Sequence, residues 1–150
     1  MRSKSNKLKV RVERKIDINR TPQAIYSFWR DFENLPKFMN HLEEVEIIDD
    51  TTSHWKASGP GGKTYEWDAE IISDRPNEFI SWHSLENAEV ENAGSVEFRE
   101  KPGGTTQVLV TLAYNPPAGA AGHQIAEWMG KAPEQEVEKD LKALKSNLEK

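Results

Sequence analysis

Hydrophobic and polar positions alternate along residues 8–18. Leu8, Val10, Val12, Ile16 and Ile18 share one face, and Lys9, Arg11, Glu13 and Lys15 share the other. That alternation predicts a strand. From residue 21 to 39 the period lengthens: Ile25, Phe28, Trp29 and Phe32 recur at helical spacing, with Asn19 or Thr21 as cap. Pro22 falls in the first turn, where its missing N–H costs nothing. The stretch Asn34-Leu35-Pro36 breaks this helix, and Pro36 is expected to open a second short one carrying Phe38, Met39 and Leu42.

Residues 42–114 return to period two in about six segments. Val45 and Ile47 alternate with Glu44 and Glu46 up to a turn at Asp49-Asp50-Thr51. Trp55 and Ala57 alternate with His54 and Lys56 up to Gly59-Pro60-Gly61-Gly62. The clearest alternation sets Tyr65, Trp67, Ala69 and Ile71 against Thr64, Glu66, Asp68 and Glu70. One wet face and one buried face mark an antiparallel sheet. After Arg75-Pro76-Asn77, Ile80, Trp82 and Ser84 face away from Phe79, Ser81 and His83. Residues 85–93 read as loop. Gly94, Val96 and Phe98 then pair across a Lys101-Pro102-Gly103-Gly104 turn with Val108, Val110, Leu112 and Tyr114.

Asn115-Pro116-Pro117 ends the sheet, and residues 118–149 read as helix in two parts. Ile125, Trp128 and Met129 form one apolar patch. Val137, Leu141, Leu144 and Leu148 form a stripe at i, i+4, i+7 and i+11, with Pro133 able to begin this second part. Strand, short helices, a run of strands and a closing helix together imply an antiparallel sheet curled around the terminal helix. Such a shape encloses a cavity.

The 150 residues fit a single domain, 1–150, large enough to bury roughly two-thirds of the unfolded surface. Thirteen aromatic residues supply a core despite a charged content of 30%. Without cysteine there is no disulfide, thiolate nucleophile or thiolate-bound metal, and a reducing, cytoplasmic location is expected. No apolar run approaches the ~20 residues of a membrane span, and the basic start is followed by no signal-like apolar stretch. Residues 1–15 hold seven Lys or Arg and one Glu, a net +6 that leaves −11 for the rest of a chain of charge −5. Residues 1–7 are therefore expected to form a flexible basic arm. Transient contact of residues 2–15 with an anionic membrane surface is one reading of it, and a solvated terminus is the other. The acidic body and the lack of aromatics within the arm argue against nucleic acid as partner.

Candidate chemistry is sparse. Ser58-Gly59-Pro60-Gly61-Gly62-Lys63-Thr64 imitates a phosphate loop, but the motif needs Gly where Ala57 stands and a helix afterwards, whereas a strand follows. His41, His54, His83 and His123 lack metal-ligand spacing, so no metal and no cofactor is expected. Glu66, Asp68 and Glu70 share a solvated strand face. The aromatic residues say more. Trp55, Trp67 and Trp82 take the inward phase on three successive strands, as do Phe98 and Tyr114 on the last two. For a curved sheet over one helix, core and pocket wall are the same face. Val96 and Phe38 join these residues as expected cavity lining, together with Ile125 and Met129 of the terminal helix. Ser84 is placed to satisfy a buried indole or phenol.

Three stretches, Phe28-Trp29-Arg30-Asp31-Phe32-Glu33-Asn34-Leu35-Pro36, Gly94-Ser95-Val96-Glu97-Phe98 and Tyr114-Asn115-Pro116-Pro117-Ala118-Gly119, resemble bacterial polyketide cyclase/dehydrase-type proteins of the START-like SRPBCC superfamily, coenzyme Q-binding proteins among them. Glu66-Trp67-Asp68-Ala69-Glu70-Ile71 and Gly130-Lys131-Ala132-Pro133-Glu134 fit the same pattern, so the likeness runs from about residue 10 to the end. The resemblance implies an α+β helix-grip fold. In it a seven-stranded curved antiparallel sheet wraps a long C-terminal helix, with two short helices after strand 1. It also implies an apolar cavity, but not the chemistry inside. Three functions stay open. One is non-catalytic carriage of a small apolar molecule, whether lipid, isoprenoid or polyketide-like. Another is a cyclase or dehydratase, with Tyr114, Ser84 or an inward Arg14 as the available groups. The third is a partner-binding domain whose cavity is filled by its own side chains.

Overall fold

The computed structural model describes residues 8–58, 62–115 and 133–150. Seven strands form one antiparallel sheet: β1 (Val10–Ile18), β2 (Leu42–Ile47), β3 (Thr52–Ser58), β4 (Thr64–Arg75), β5 (Phe79–Ser84), β6 (Asn92–Lys101) and β7 (Thr105–Tyr114). Their order is β1-β7-β6-β5-β4-β3-β2, so each strand from β2 onward pairs with its neighbour in sequence and β1 closes onto the last. Between the edge strands β1 and β2 the chain forms α1 (Pro22–Arg30) and a 3-10 helix (Phe32–Lys37). The closing helix α2 (Pro133–Leu148) packs on β1. This is the helix-grip architecture expected from the chain's pattern. The basic residues 1–7, residues 59–61 of the expected turn, and the expected first part of the terminal helix with Ile125, Trp128 and Met129 lie outside the described residues.

The helical segment departs from its expected boundaries. The Thr21 Oγ1 accepts the Ala24 N–H at 3.1 Å and caps α1, with Pro22 at its start. The break comes at Asp31 and not at Pro36: Asp31 leaves the helix with extended backbone and its carboxylate accepts the Glu33 N–H at 3.2 Å, starting the 3-10 helix. Pro36 sits inside that short helix, Phe38 ends it, and Leu42 already belongs to β2. A side-chain cap available at Asp31 outweighed the breaker five residues later.

Two irregularities shape the sheet. Register shifts between Ile71 and Ser73, around Ile72, which is 54% exposed. Such a bulge adds local twist to a long strand. A second shift lies between Leu42 and Glu44; beyond it Val45 is buried, while Ile47, on the same face at the end of the edge strand, is 40% exposed. Elsewhere the alternation holds, with Trp55, Ala57, Tyr65, Trp67, Ala69, Ile80, Trp82, Val96, Phe98, Val108 and Val110 all buried. Gly103 and Gly104 turn β6 into β7 with φ of +87° and +81°, a region that side chains disfavour.

The core is built around stacked aromatics. Trp55 and Trp67 face each other across β3 and β4, with centroids 5.9 Å apart, and Trp55 also stacks on Trp82 at 6.3 Å. The helical segment fills the hollow above them. Phe32 meets Trp82 edge-on at 5.4 Å and Trp55 at 5.6 Å, while Trp29 lies 5.3 Å from Phe38. Gly94 makes room for this arrangement, since a Cβ built there would stand 2.4 Å from a ring carbon of Trp82. On α2, Val137, Leu141 and Leu144 are buried, as their spacing predicts. The helix end is fastened to the end of β1: Arg20 donates to the Leu148 carbonyl, Lys145 Nζ to the Asp17 carbonyl at 2.8 Å, and the Asn19 N–H to Glu149 at 2.7 Å.

Gly94→Ala is expected to destabilise the fold by about 1–3 kcal/mol, because backbone-tethered Cβ and indole cannot share the space. Urea unfolding measures the loss, and a changed near-ultraviolet circular dichroism band should show that Trp82 has moved. An unchanged midpoint would mean that the ring shifts freely.

Candidate functional site

The candidate site is a small cavity inside the sheet, near the end of β7. Its described walls come from the turn after the 3-10 helix (Met39, His41, Leu42), from Trp55, Trp67 and Trp82 on three successive strands, from Val90, Asn92 and Ala93 entering β6, and from Leu112, Ala113 and Tyr114 closing β7. Its volume is about 50 Å³. Most of the hollow that a curved sheet leaves is thus occupied by the chain's own aromatic rings.

Four of the residues expected to line a cavity meet there: Trp55, Trp67, Trp82 and Tyr114. The others lie elsewhere. Phe38 packs on Phe28 and Trp29, and Phe98 meets Tyr26 edge-on at 6.0 Å. Val96 is fully buried without bordering the cavity. Ser84 is fully buried too, and its Oγ accepts the Asn92 N–H at 3.0 Å, joining the end of β5 to the start of β6. Ile125 and Met129 fall outside the described residues. Arg14, weighed as an inward catalytic cation, is exposed, donates to the Glu13 carbonyl at 2.8 Å and borders a groove against Glu138 and Leu141 of α2.

Buried polar groups are nearly always hydrogen-bonded, so those that are not carry information. Trp55 Nε1 donates to Ser53 Oγ at 2.8 Å. Trp67 Nε1 and His41 Nδ1, both on wall residues, are sealed from solvent and have no partner. Trp29 Nε1 is the third such atom among the described residues, and Trp29 does not border the cavity. His41 as a residue is half-buried, but burial around its imidazole lowers its pKa to about 4. Tyr114 is pushed up to about 12 by burial and, secondarily, by the charge of Glu134. At neutral pH the wall therefore presents an uncharged imidazole and an uncharged phenol.

Next to this wall lies a carboxyl group that the hydrophobic pattern conceals. Asp140 stands at i+3 on the Val137 stripe of α2, is only 4% exposed, and accepts the Asn40 N–H at a long 3.4 Å. Burial, together with the charge of Glu136, pushes its pKa up to about 7, against the Asn40 hydrogen bond and Lys139. Sequence reasoning missed both Asp140 and His41. The one signal for Asp140 was a polar residue in an otherwise apolar stripe. For His41 it was its place directly before Leu42, the first residue of β2, at a helix-to-strand junction.

On the opposite, outer face, His54 bridges Asp68 at 2.7 Å and Glu66 at 2.8 Å, and these hydrogen bonds raise its pKa. All three are substantially exposed, as a solvated strand face requires. No group of three or more His, Asp or Glu among the described residues is disposed to hold a metal ion. Nor is any described helix long and apolar enough to cross a membrane.

With this geometry in view, comparison with known proteins is informative. Residues 18–142 match the family model described as polyketide cyclase / dehydrase and lipid transport. The chain belongs to this family. Among its relatives, an uncharacterized 17.2 kDa protein of Streptomyces lincolnensis is 33% identical over 106 residues, 71% of this chain and 69% of that protein. A solved protein of Deinococcus radiodurans is 35% identical, with a TM-score of 0.78 over 94% of this chain and 98% of its own. A START superfamily protein of Mycobacterium smegmatis shares 14% identity and a TM-score of 0.75 over 93% and 97% of the two chains, a likeness of fold. The START-like fold of this polyketide cyclase / dehydrase and lipid transport family member is thus established. The family description spans both catalysis and transport, and the chemistry of the wall has to discriminate between them.

His41 and Asp140 make opposite contributions to stability with pH. Asp140 has a raised folded-state pKa, so its contribution is complete below the usual 3.8 and is lost as pH rises through about 7. His41 has a depressed one, so its contribution is complete above the usual 6.5 and is lost as pH falls through about 4. Asp140→Asn is therefore expected to give stability that rises more steeply with pH than the parent's between about 4.5 and 6.5, and His41→Gln one that falls more steeply. Each change in slope is on the order of 1 kcal/mol per pH unit. Urea midpoints across that window check both signs, and profiles parallel to the parent's would contradict them.

Proposed function

We propose that this protein binds a small apolar molecule at the tryptophan-walled cavity and carries it unchanged. One observation carries this reading. Of the described wall residues, the two that could exchange a proton, His41 and Tyr114, titrate near 4 and near 12. A general acid or base works best with a pKa close to the operating pH, and burial moves both groups away from it. Asp140 titrates near neutrality but is not among the described wall residues, and its carboxyl is turned to the Asn40 backbone. Apolar walls with a few polar atoms are the ordinary composition of a ligand site. The lipid transport activity in the family's description is consistent with the reading.

Native mass spectrometry of the freshly purified protein, followed by denaturing extraction, tests it. The expected result is a stoichiometric extra mass, released intact on unfolding. A transformed product accumulating from an added polyketide-like substrate would overturn non-catalytic carriage and favour the cyclase alternative. In that case Tyr114→Phe should abolish turnover.

A second reading is supported by the size of the cavity. About 50 Å³ is well below the roughly 150 Å³ that holds a benzene ring in an engineered apolar cavity. The domain would then serve a partner, with its interior simply filled. Under that reading Trp67→Ala costs about 3–5 kcal/mol of stability and no ligand is ever recovered. Under the carrier reading the same variant also loses the bound mass.

A further inference from the structure

Resting on the carrier reading, we propose that the cavity selects neutral ligands bearing an oxygen acceptor, which takes the Trp67 Nε1–H with His41 Nδ1 as its second contact. Three observations converge on that ligand class. The first is the pair of orphaned atoms. Trp67 is 6% exposed, its Nε1 has no partner, and the Nδ1 of a second wall residue is also sealed and unpaired. An indole N–H shut away from water without an acceptor costs free energy, and an acceptor oxygen arriving with a ligand removes that cost. The contrast within the same cluster is instructive: neighbouring Trp55 already has its N–H on Ser53 and offers nothing to a ligand.

The second observation is charge. Neither Lys nor Arg is among the described wall residues, and burial keeps His41 uncharged at neutral pH. A carboxylate would enter without a counter-ion, so fatty-acid anions are disfavoured relative to ketones, ethers, alcohols and phenols. The third is size. About 50 Å³ admits an oxygen-bearing group but not a whole ring, so the oxygen end leads; Met39, Leu42, Val90 and Leu112 supply apolar wall. A neutral imidazole nitrogen accepts or donates according to its tautomer, so either a hydroxyl or a carbonyl can satisfy it.

The test is NMR of protein labelled with 15N at the tryptophan indoles, the Trp67 resonance being identified by its loss in Trp67→Phe. Cyclohexanone, cyclohexanol, methylcyclohexane and cyclohexanecarboxylate are titrated separately. The ketone and alcohol are expected to shift the Trp67 indole N–H and to bind at least about tenfold more tightly than the hydrocarbon or the carboxylate, one missing hydrogen bond to a buried polar group being worth about that factor. In Trp67→Phe the preference over the hydrocarbon should disappear. Equal affinity for the hydrocarbon with Trp67 unmoved would overturn oxygen selection while leaving carriage intact. Tightest binding of the carboxylate would overturn the neutral-ligand assignment. A long-lived water on the Trp67 N–H that the ketone does not displace would also overturn the proposal. Binding of none of the four would remove the carrier reading, and oxygen selection with it.

Discussion

Everything in this molecule accommodates one packing constraint: six large aromatic side chains share the concave side of a single sheet. Trp55, Trp67 and Trp82 stack across three neighbouring strands, and Trp29, Phe32 and Phe38 descend on them from the helical segment between the edge strands. Offset and edge-on contacts among such rings add to the free energy of burying them. The cluster also sets local demands. Position 94 must lack a Cβ because Trp82 lies across it, and Ser53 must be buried because Trp55 needs an acceptor.

The same constraint determines what the interior can do. A curved sheet gripping a helix encloses space, and here the rings fill much of it, leaving a small cavity, two of whose wall residues carry an unsatisfied polar atom. Low polarity around that cavity displaces the titration of its two proton-exchanging groups in opposite directions, away from neutral pH. Burial that makes the wall a good receptor for neutral apolar matter makes it a poor acid–base catalyst. The site's leaning toward binding is therefore a consequence of packing and not of the absence of reactive residue types.

The turn at residues 39–41 links the interior to the closing helix. Met39 and His41 face the cavity, while the intervening Asn40 gives its N–H to Asp140 on α2. Two adjacent positions thus contact a cavity and a buried acid, and burial favours the neutral forms of His41 and Asp140. Arg20, Lys145 and Glu149 hold the far end of α2 to β1 through hydrogen bonds at the surface, where water competes. The helix is consequently anchored by apolar burial at Val137, Leu141 and Leu144, with polar ties at either side.

Period-two alternation determined the strands and their buried faces, because one side of an antiparallel sheet meets water and the other does not. The stripe at Val137, Leu141 and Leu144 determined the closing helix for the corresponding reason at period 3.6. The inward phase of three tryptophans was equally legible, being a property of each strand by itself. What no local pattern contains is which of these inward residues face one another and which face a gap. That placed Phe98 against Tyr26 and left the Trp67 Nε1–H without an acceptor. The helix ends at the Asp31 cap and not at Pro36, and Phe32, the next residue, meets Trp55 and Trp82, far away in sequence. Ile47, at the end of an edge strand, and Ile72, at a register shift, remain exposed despite their hydrophobicity. His41 and Asp140 acquired their significance only from burial, which is a property of the assembled neighbours: the sequence states a residue's chemistry, and the tertiary structure decides how much water that chemistry retains.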